Sequence, residues 1–167
     1  IVHAVRDLDA AAKFYHRAGF IVGARNRHPW GTHNRIVQLK NSYIEILEVA
    51  EPEKIALHGA RSFSFGAFNR DFVAAQEGFS MLILNSTAAT DDARAFAAAG
   101  IGGFTVFEFA RDGTRPDGTT VQLAFSLAFA HDPASPTVRF AVCQLHFPAN
   151  FSDPAYPPPA HCPRQGP

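Results

Sequence analysis

One pattern, a strand followed by a helix and three more strands, occurs twice along the chain and limits the possible folds more than any other feature. In the first copy Asp7 is the N-cap of a run of apolar residues at helical spacing, and Gly19 ends that helix. The strands of this copy are predicted at residues 1–5, 20–25, 34–39 and 43–49.

The second copy repeats this order after a connecting segment. Thr90 or Asp91 is predicted to cap its helix, and Gly100 ends it. Its strands are predicted at residues 79–84, 104–110, 121–130 and 138–147. A repeated unit normally exists because one copy cannot cover its own sheet, so paired copies form a shared core or cleft. The sequence therefore predicts an α+β fold made of two βαβββ modules.

These elements divide the chain into four parts. Residues 1–50 are the first module, 51–78 a connecting segment, 79–147 the second module, and 148–167 a tail rich in proline that should lack regular structure. Four phenylalanines fall between residues 63 and 72, and they suggest that the connection packs partly over the sheet.

Composition excludes several classes of protein. The 167 residues are 47% hydrophobic and can bury a full core. Lys plus Arg and Asp plus Glu number 15 each, without a basic cluster, so nucleic acid is not an expected partner. No stretch approaches the roughly 20 apolar residues that cross a bilayer, and the start lacks a signal-peptide pattern. Cys143 and Cys162 form no disulfide framework. We expect a soluble, cytoplasmic protein without a membrane partner.

Residues 28–35 hold many hydrogen-bonding side chains just before the predicted hairpin of 34–49. Two His, a Trp, a Thr, an Asn and an Arg occur within these eight residues. A polar group buried without a partner costs about 1–3 kcal/mol, so a core strand seldom carries so many. A pocket for a small molecule does need them, and we expect a small-molecule substrate to bind here.

Strand alternation divides this segment into two faces. One parity comprises His28, Trp30, Thr32 and Asn34, and we predict that this set faces the ligand. Trp30 would stack on a flat or apolar group and His28 would move a proton near neutral pH, while Thr32 and Asn34 would orient a carbonyl or carboxylate. The other parity comprises His33 and Arg35. A bulged turn whose polar side chains cap backbone groups is the alternative.

Three motifs and the repeat together resemble a known family. Residues 5–11 (VRDLDAA), 28–34 (HPWGTHN) and 43–47 (YIEIL), with the second module, resemble the glyoxalase-like branch of the vicinal oxygen chelate superfamily. The resemblance spans about residues 1–151. It implies two βαβββ modules whose mixed or antiparallel sheets curve around a central cup. In metal-dependent members, the first and fourth strands of each module ligate a divalent ion in that cup.

The resemblance also implies candidate site residues. Glu45 stands at the fourth-strand carboxylate position, as a metal ligand or a catalytic base, although a polar residue on an exposed sheet face is the alternative. The first-strand position falls one residue before Ile1 in the first module and near Met81, a poor ligand, in the second. The second module's fourth strand offers Gln144, a candidate for binding substrate, and His146, a candidate ligand. Glu45 and His146 are an incomplete pair, since catalytic zinc usually has three protein ligands.

Two functions follow from the resemblance and the residues. The first is an enzyme of the lyase, isomerase or dioxygenase type, in which Glu45 removes a proton beside a carbonyl with the help of Zn, Ni, Mn or Fe. Arg70 either clamps an anionic substrate or pairs with Asp71. The alternative is a metal-free protein that binds or sequesters a small molecule, which Met81 and the Phe-rich interior favour.

The sequence contains no flavin or nicotinamide fingerprint, so no nucleotide cofactor is expected. Modules of this kind can pair within one chain or across two, which leaves a homodimer open. A chain that is one part of a longer protein is a further alternative.

Overall fold

The computed structural model describes residues 1–40, 42–114 and 118–151. These residues form two units. The first consists of Ile1–Ala56 and Phe65–Ser80, and the second of Leu57–Ser64 and residues 81–151. Within the described ranges, every helix is too short or too polar to cross a membrane.

The first unit contains one βαβββ module and an additional helix. Its elements in chain order are β1 (Val2–Val5), α1 (Leu8–Arg17), β2 (Asn26–Arg27), β3 (Thr32–Gln38), β4 (Tyr43–Val49) and α2 (Phe65–Ala75). The strands lie in the order β2-β3-β4-β1. β1 is parallel to β4, whereas β3 is antiparallel to both β2 and β4.

Helix α1 covers one face of this sheet. Its N-cap is Asp7, as predicted, and a carboxylate oxygen of Asp7 accepts hydrogen bonds from the backbone of Asp9 and Ala10. The apolar side of α1 packs on the sheet in a core cluster that includes Leu8, Ala12, Tyr15, Val37 and Ile46. Because successive strand residues face opposite sides, Glu45 lies on the face away from α1.

Helix α2 occupies the connecting segment, where sequence analysis expected packing but assigned no helix. Phe65, Phe68 and Phe72 are spaced by three and four residues, which is the period of a helix. Asn69 is fully buried; its amide nitrogen lies 2.9 Å from the carbonyl oxygen of Phe65, and its oxygen accepts from Ser80 at 2.7 Å. This satisfied polar pair attaches α2 to the strand that follows it.

The second unit repeats the topology of the first. Its elements are β5 (Gly78–Ser86), which starts at the end of the first unit, α3 (Ala89–Ala98), β6 (Phe107–Thr114), β7 (Thr120–Ala130) and β8 (Arg139–Leu145). The order is β5-β8-β7-β6, with β5 parallel to β8 and β7 antiparallel to both β6 and β8. The predicted α+β fold of two βαβββ modules is confirmed.

Two local predictions were wrong. The second strand is the two-residue β2 and not 20–25, where Val22 forms an isolated bridge to Val37. Neither Thr90 nor Asp91 caps α3, because the helix starts at Ala89. In the tail, Pro148–Asn150 forms one 3-10 turn. Residues 152–167, with Cys162, lie outside the described residues.

Candidate functional site

A tight hairpin between β2 and β3 brings the predicted ligand-facing residues together. The backbone N–H of His28 donates to the carbonyl oxygen of Thr32 at 2.8 Å, and the backbone N–H of Gly31 donates to the carbonyl oxygen of His28 at 3.2 Å. Gly31 has φ +87°, and a Cβ there would lie 2.4 Å from the carbonyl oxygen of Glu51. Only glycine fits this position, so Gly31 determines the path of the turn.

Asn34 is the centre of the side-chain cluster. Its amide nitrogen lies 2.6 Å from Oε1 of Glu45 and 3.3 Å from Nε2 of His28. Its amide oxygen accepts from the amide nitrogen of Asn26 at 3.2 Å. Asn34 is only 6% exposed, so these bonds satisfy a buried polar group.

Both ring nitrogens of His28 lie within hydrogen-bond distance of another side chain. Nδ1 lies 2.8 Å from Oγ1 of the buried Thr32. Since the Asn34 amide nitrogen is a donor, Nε2 accepts, and the proton of the neutral ring lies on Nδ1 and is donated to Thr32. The Trp30 ring stacks on the imidazole, with a centroid distance of 4.6 Å and an interplanar angle of 18°. The four residues of the predicted set therefore lie in one cluster with Glu45.

Glu45 lies among apolar neighbours. In the register of the sheet it is opposite Val2 on β1 and Ile36 on β3. Burial raises the pKa of its carboxyl group, and the hydrogen bond from Asn34 acts in the opposite direction. A carboxylate with a raised pKa is a stronger base than one in water.

The other parity set lies in a separate network of charged groups. Nε2 of His33 is 3.0 Å from Glu51, and the guanidinium of Arg35 is 3.0 Å from Asp9. The guanidinium of Arg25 bridges Asp9 and Glu48 at 3.0 Å each. The contacts of His33 and Arg35 are therefore separate from those of the cluster around Asn34.

The remaining predicted residues have local partners. Arg70, on α2, pairs with its neighbour Asp71 at 2.8 Å. In the second unit, Oε1 of Gln144 accepts from the backbone N–H of Ala89 at 3.0 Å and so caps α3. His146 is exposed, and its Nε2 lies 2.8 Å from Oγ of Ser126.

The described residues do not fit the divalent ion that the resemblance implies. Within these ranges, no three His, Cys, Asp or Glu side chains are grouped closely enough to hold a metal. Strand alternation places Val2 and Ala4 of β1 on the Glu45 face, and both are apolar. Met81 is buried and is a soft ligand.

Asn26 is the member of the cluster that sequence analysis missed. It lies opposite Asn34 in the β2–β3 register. Asn26 is two residues before His28 and so belongs to the same alternating series of residues, 26, 28, 30, 32 and 34. Continuing that series toward the N-terminus would have identified Asn26.

Comparison with protein families decides the classification. A family model described as a glyoxalase-like domain matches residues 1–161. The chain belongs to this family. The glyoxalase-like domain is also similar to two solved structures, both of hypothetical proteins. One, from Bacillus halodurans C-125, has a TM-score of 0.57 and 17% identity, with 86% of this chain and 90% of that chain covered.

The other, from Staphylococcus aureus, has a TM-score of 0.61 and 16% identity, with 87% of this chain but only 57% of that chain covered. At such identities the similarity shows the fold alone. No curated protein matches the glyoxalase-like domain.

Proposed function

We propose that this glyoxalase-like domain acts on a small carbonyl compound and that Glu45 removes a proton from the carbon beside the carbonyl. The observation that carries the proposal is the hydrogen bond of 2.6 Å between the Glu45 carboxylate and the neutral amide of Asn34, with the apolar Val2 and Ile36 opposite Glu45 on the two neighbouring strands. Burial raises the pKa of Glu45, which makes its carboxylate a stronger base than one in water.

The exposure of the other cluster residues supports different roles for them. Thr32 and Asn34 are buried, so they hold the imidazole and the carboxylate in place. His28 and Trp30 keep partial exposure, which lets them contact a ligand. We assign to His28 the transfer of a proton between the two substrate oxygens and to Trp30 the stacking of a flat or apolar group.

The steps balance without a co-reactant. Glu45 takes the proton from carbon, and the electron pair of the C–H bond forms an enediolate. Glu45 then returns that proton to the neighbouring carbon while His28 moves the hydroxyl proton of the intermediate to the former carbonyl oxygen, so the substrate is isomerised and both side chains end in their starting states. Every step uses a side chain of the described cluster.

Binding or sequestration of a small molecule without chemistry is the second candidate function. It is favoured by a cavity of about 390 Å³ in the second unit, whose mostly apolar lining includes Leu84, Phe96, Ile101 and Phe140.

Exchange of a carbon-bound proton with solvent deuterium tests the first function. The protein is incubated in heavy water with a panel of α-hydroxy aldehydes and ketones, and loss of the C–H signal is followed by proton NMR. We expect Glu45→Gln to slow the exchange by about 10²–10⁴-fold, which is the usual effect of losing a general base. Glu53→Gln, at an exposed position, is the matched control and should exchange at the parent rate.

Equal exchange rates in the parent and Glu45→Gln would exclude Glu45 as the base. If no compound exchanges but one binds, and Glu45→Gln binds it equally well, the sequestration function is supported instead.

A further inference from the structure

We propose that Asn26 is a positioning residue: it sets the direction of the Asn34 amide and, through it, the ring nitrogen of His28 that carries the proton. The effect on catalysis rests on the proposed function, whereas the effect on His28 does not. Asn26 is exposed and belongs to the two-residue strand β2, so it contributes no core packing.

The direction of the Asn26 amide is set by a backbone carbonyl. A side-chain amide has an oxygen that accepts and a nitrogen that donates, and its partners decide which side each one takes. The carbonyl oxygen of Ala24 lies 3.5 Å from the Asn26 amide nitrogen, and a carbonyl can only accept. The same nitrogen donates to the Asn34 oxygen at 3.2 Å. Both hydrogens of Asn26 therefore have acceptors.

This arrangement leaves one orientation for Asn34. Its oxygen faces Asn26, so its nitrogen faces Glu45 at 2.6 Å and His28 at 3.3 Å. One hydrogen goes to each acceptor, and no donor capacity remains. Because Nε2 of His28 accepts, the neutral ring holds its proton on Nδ1, 2.8 Å from the hydroxyl oxygen of Thr32.

The reversed orientation of Asn34 would be unfavourable at three contacts. The amide oxygen would face the Glu45 carboxylate, the amide nitrogen would face the donor of Asn26, and Nε2 of His28 would need a proton. Asn26 thus excludes a state in which the imidazole and the carboxylate compete for protons. In the proposed reaction, it keeps one donor directed at Nε2 of His28 and another at the Glu45 carboxylate before the substrate binds.

Nitrogen NMR of the parent protein labelled with ¹⁵N-histidine tests the proton position directly. At about pH 8, above the ordinary histidine pKa of about 6.5, we expect His28 to show a protonated Nδ1 and an unprotonated Nε2. Asn26→Asp keeps the side-chain shape but removes the donor. We expect this variant to move the proton of His28 to Nε2 and to slow deuterium exchange roughly tenfold.

Arg27→Gln is the matched control. Arg27 is the other residue of β2, is also exposed, and lies opposite His33 in the register. We expect both the ring-nitrogen signals of His28 and the exchange rate to stay at the parent values. This control separates the amide contact from any general disturbance of β2.

Two results would overturn the inference: a parent protein whose His28 carries its proton on Nε2, or an Asn26→Asp variant whose His28 signals match those of the parent. If the signals change as expected but no variant affects exchange, the inference about Asn26 stands and the proposed function fails.

Discussion

The amide nitrogen of Asn34 lies 2.6 Å from a carboxylate oxygen of Glu45, and the two residues are diagonal neighbours on one face of β3 and β4. Asn34 is directly opposite Leu47, and Glu45 is directly opposite Ile36. Diagonal neighbours are within reach of polar side chains. A shift of one residue in the β3–β4 register would place Asn34 and Glu45 on opposite faces, so the contact depends on the register of the sheet.

Glu45→Gln should change how stability depends on pH. Burial raises the folded-state pKa above the ordinary value of 4.5, so the folded protein binds this proton more tightly than the unfolded chain does. The stabilisation is fully present below pH 4.5 and is lost as the pH rises through the raised pKa. Urea denaturation measures the free energy of unfolding from about pH 4 to about pH 8. Over this range the free energy of unfolding of the parent should fall relative to that of Glu45→Gln.

The Glu53→Gln variant serves as the control for the loss of one charge, since Glu53 is exposed. It should follow the parent curve. If Glu45→Gln follows the parent curve as well, the carboxyl group of Glu45 titrates at its ordinary pKa in the folded protein.

Gly31→Ala should destabilise the protein more than Gly19→Ala. Both glycines have positive φ, +87° and +89°, so alanine meets the same backbone strain of about 1–2 kcal/mol at each. Only at Gly31 would the new Cβ meet a neighbour, the carbonyl oxygen of Glu51 at 2.4 Å, which adds about 1–3 kcal/mol of overpacking. Denaturant unfolding of the two variants measures the difference, and equal losses would contradict the clash at the hairpin.

Tyr15→Phe should weaken the contact between α1 and β1. The Tyr15 hydroxyl lies 2.8 Å from Nδ1 of His3 and donates to it when the ring is neutral. Loss of this bond should cost about 0.5–1.5 kcal/mol at neutral and higher pH. Burial lowers the pKa of His3 below 6.5, against the opposing charge of Glu77. Stability from His3 is therefore present above pH 6.5 and is lost as the pH falls through the lowered pKa.

A double-mutant cycle with His3→Gln measures this contact. The energy that couples Tyr15 and His3 should be present at about pH 8 and should decrease as the pH falls through the lowered pKa of His3, because a charged His3 accepts nothing. A cycle without coupling at the higher pH would show that the hydroxyl contributes nothing to the folded state.

Much of the first module could be predicted because its signals are local. Asp7 caps α1 as predicted, since an N-cap accepts from residues two and three positions ahead in the same chain. β4 spans Tyr43–Val49, the same residues as the prediction, because its alternation and the turn before it are both visible in the sequence. The α2 helix could have been found from the spacing of Phe65, Phe68 and Phe72.

The start of α3 could not be predicted in this way. Two side chains accept hydrogen bonds from the backbone N–H groups there. The hydroxyl oxygen of Ser86 accepts from Ala88 at 2.9 Å. The side-chain oxygen of Gln144, which is 55 residues away in the sequence, accepts from Ala89. Local preference favoured Thr90 or Asp91, but the contact from β8 supplied an acceptor one turn earlier. Gln144 was predicted to bind substrate from its strand parity, but its side chain caps α3.

By itself, the sequence determined the order of the elements, the repeat of the βαβββ module, and the parity that groups His28, Trp30, Thr32 and Asn34. These features depend on residues a few positions apart, whose side-chain directions follow from backbone geometry. Only the tertiary structure decided that Asn26 pairs with Asn34, that Asn34 reaches Glu45, and that Gln144 caps α3. Those contacts join different strands and helices, and strand register and packing, which no local pattern encodes, determine which atoms meet.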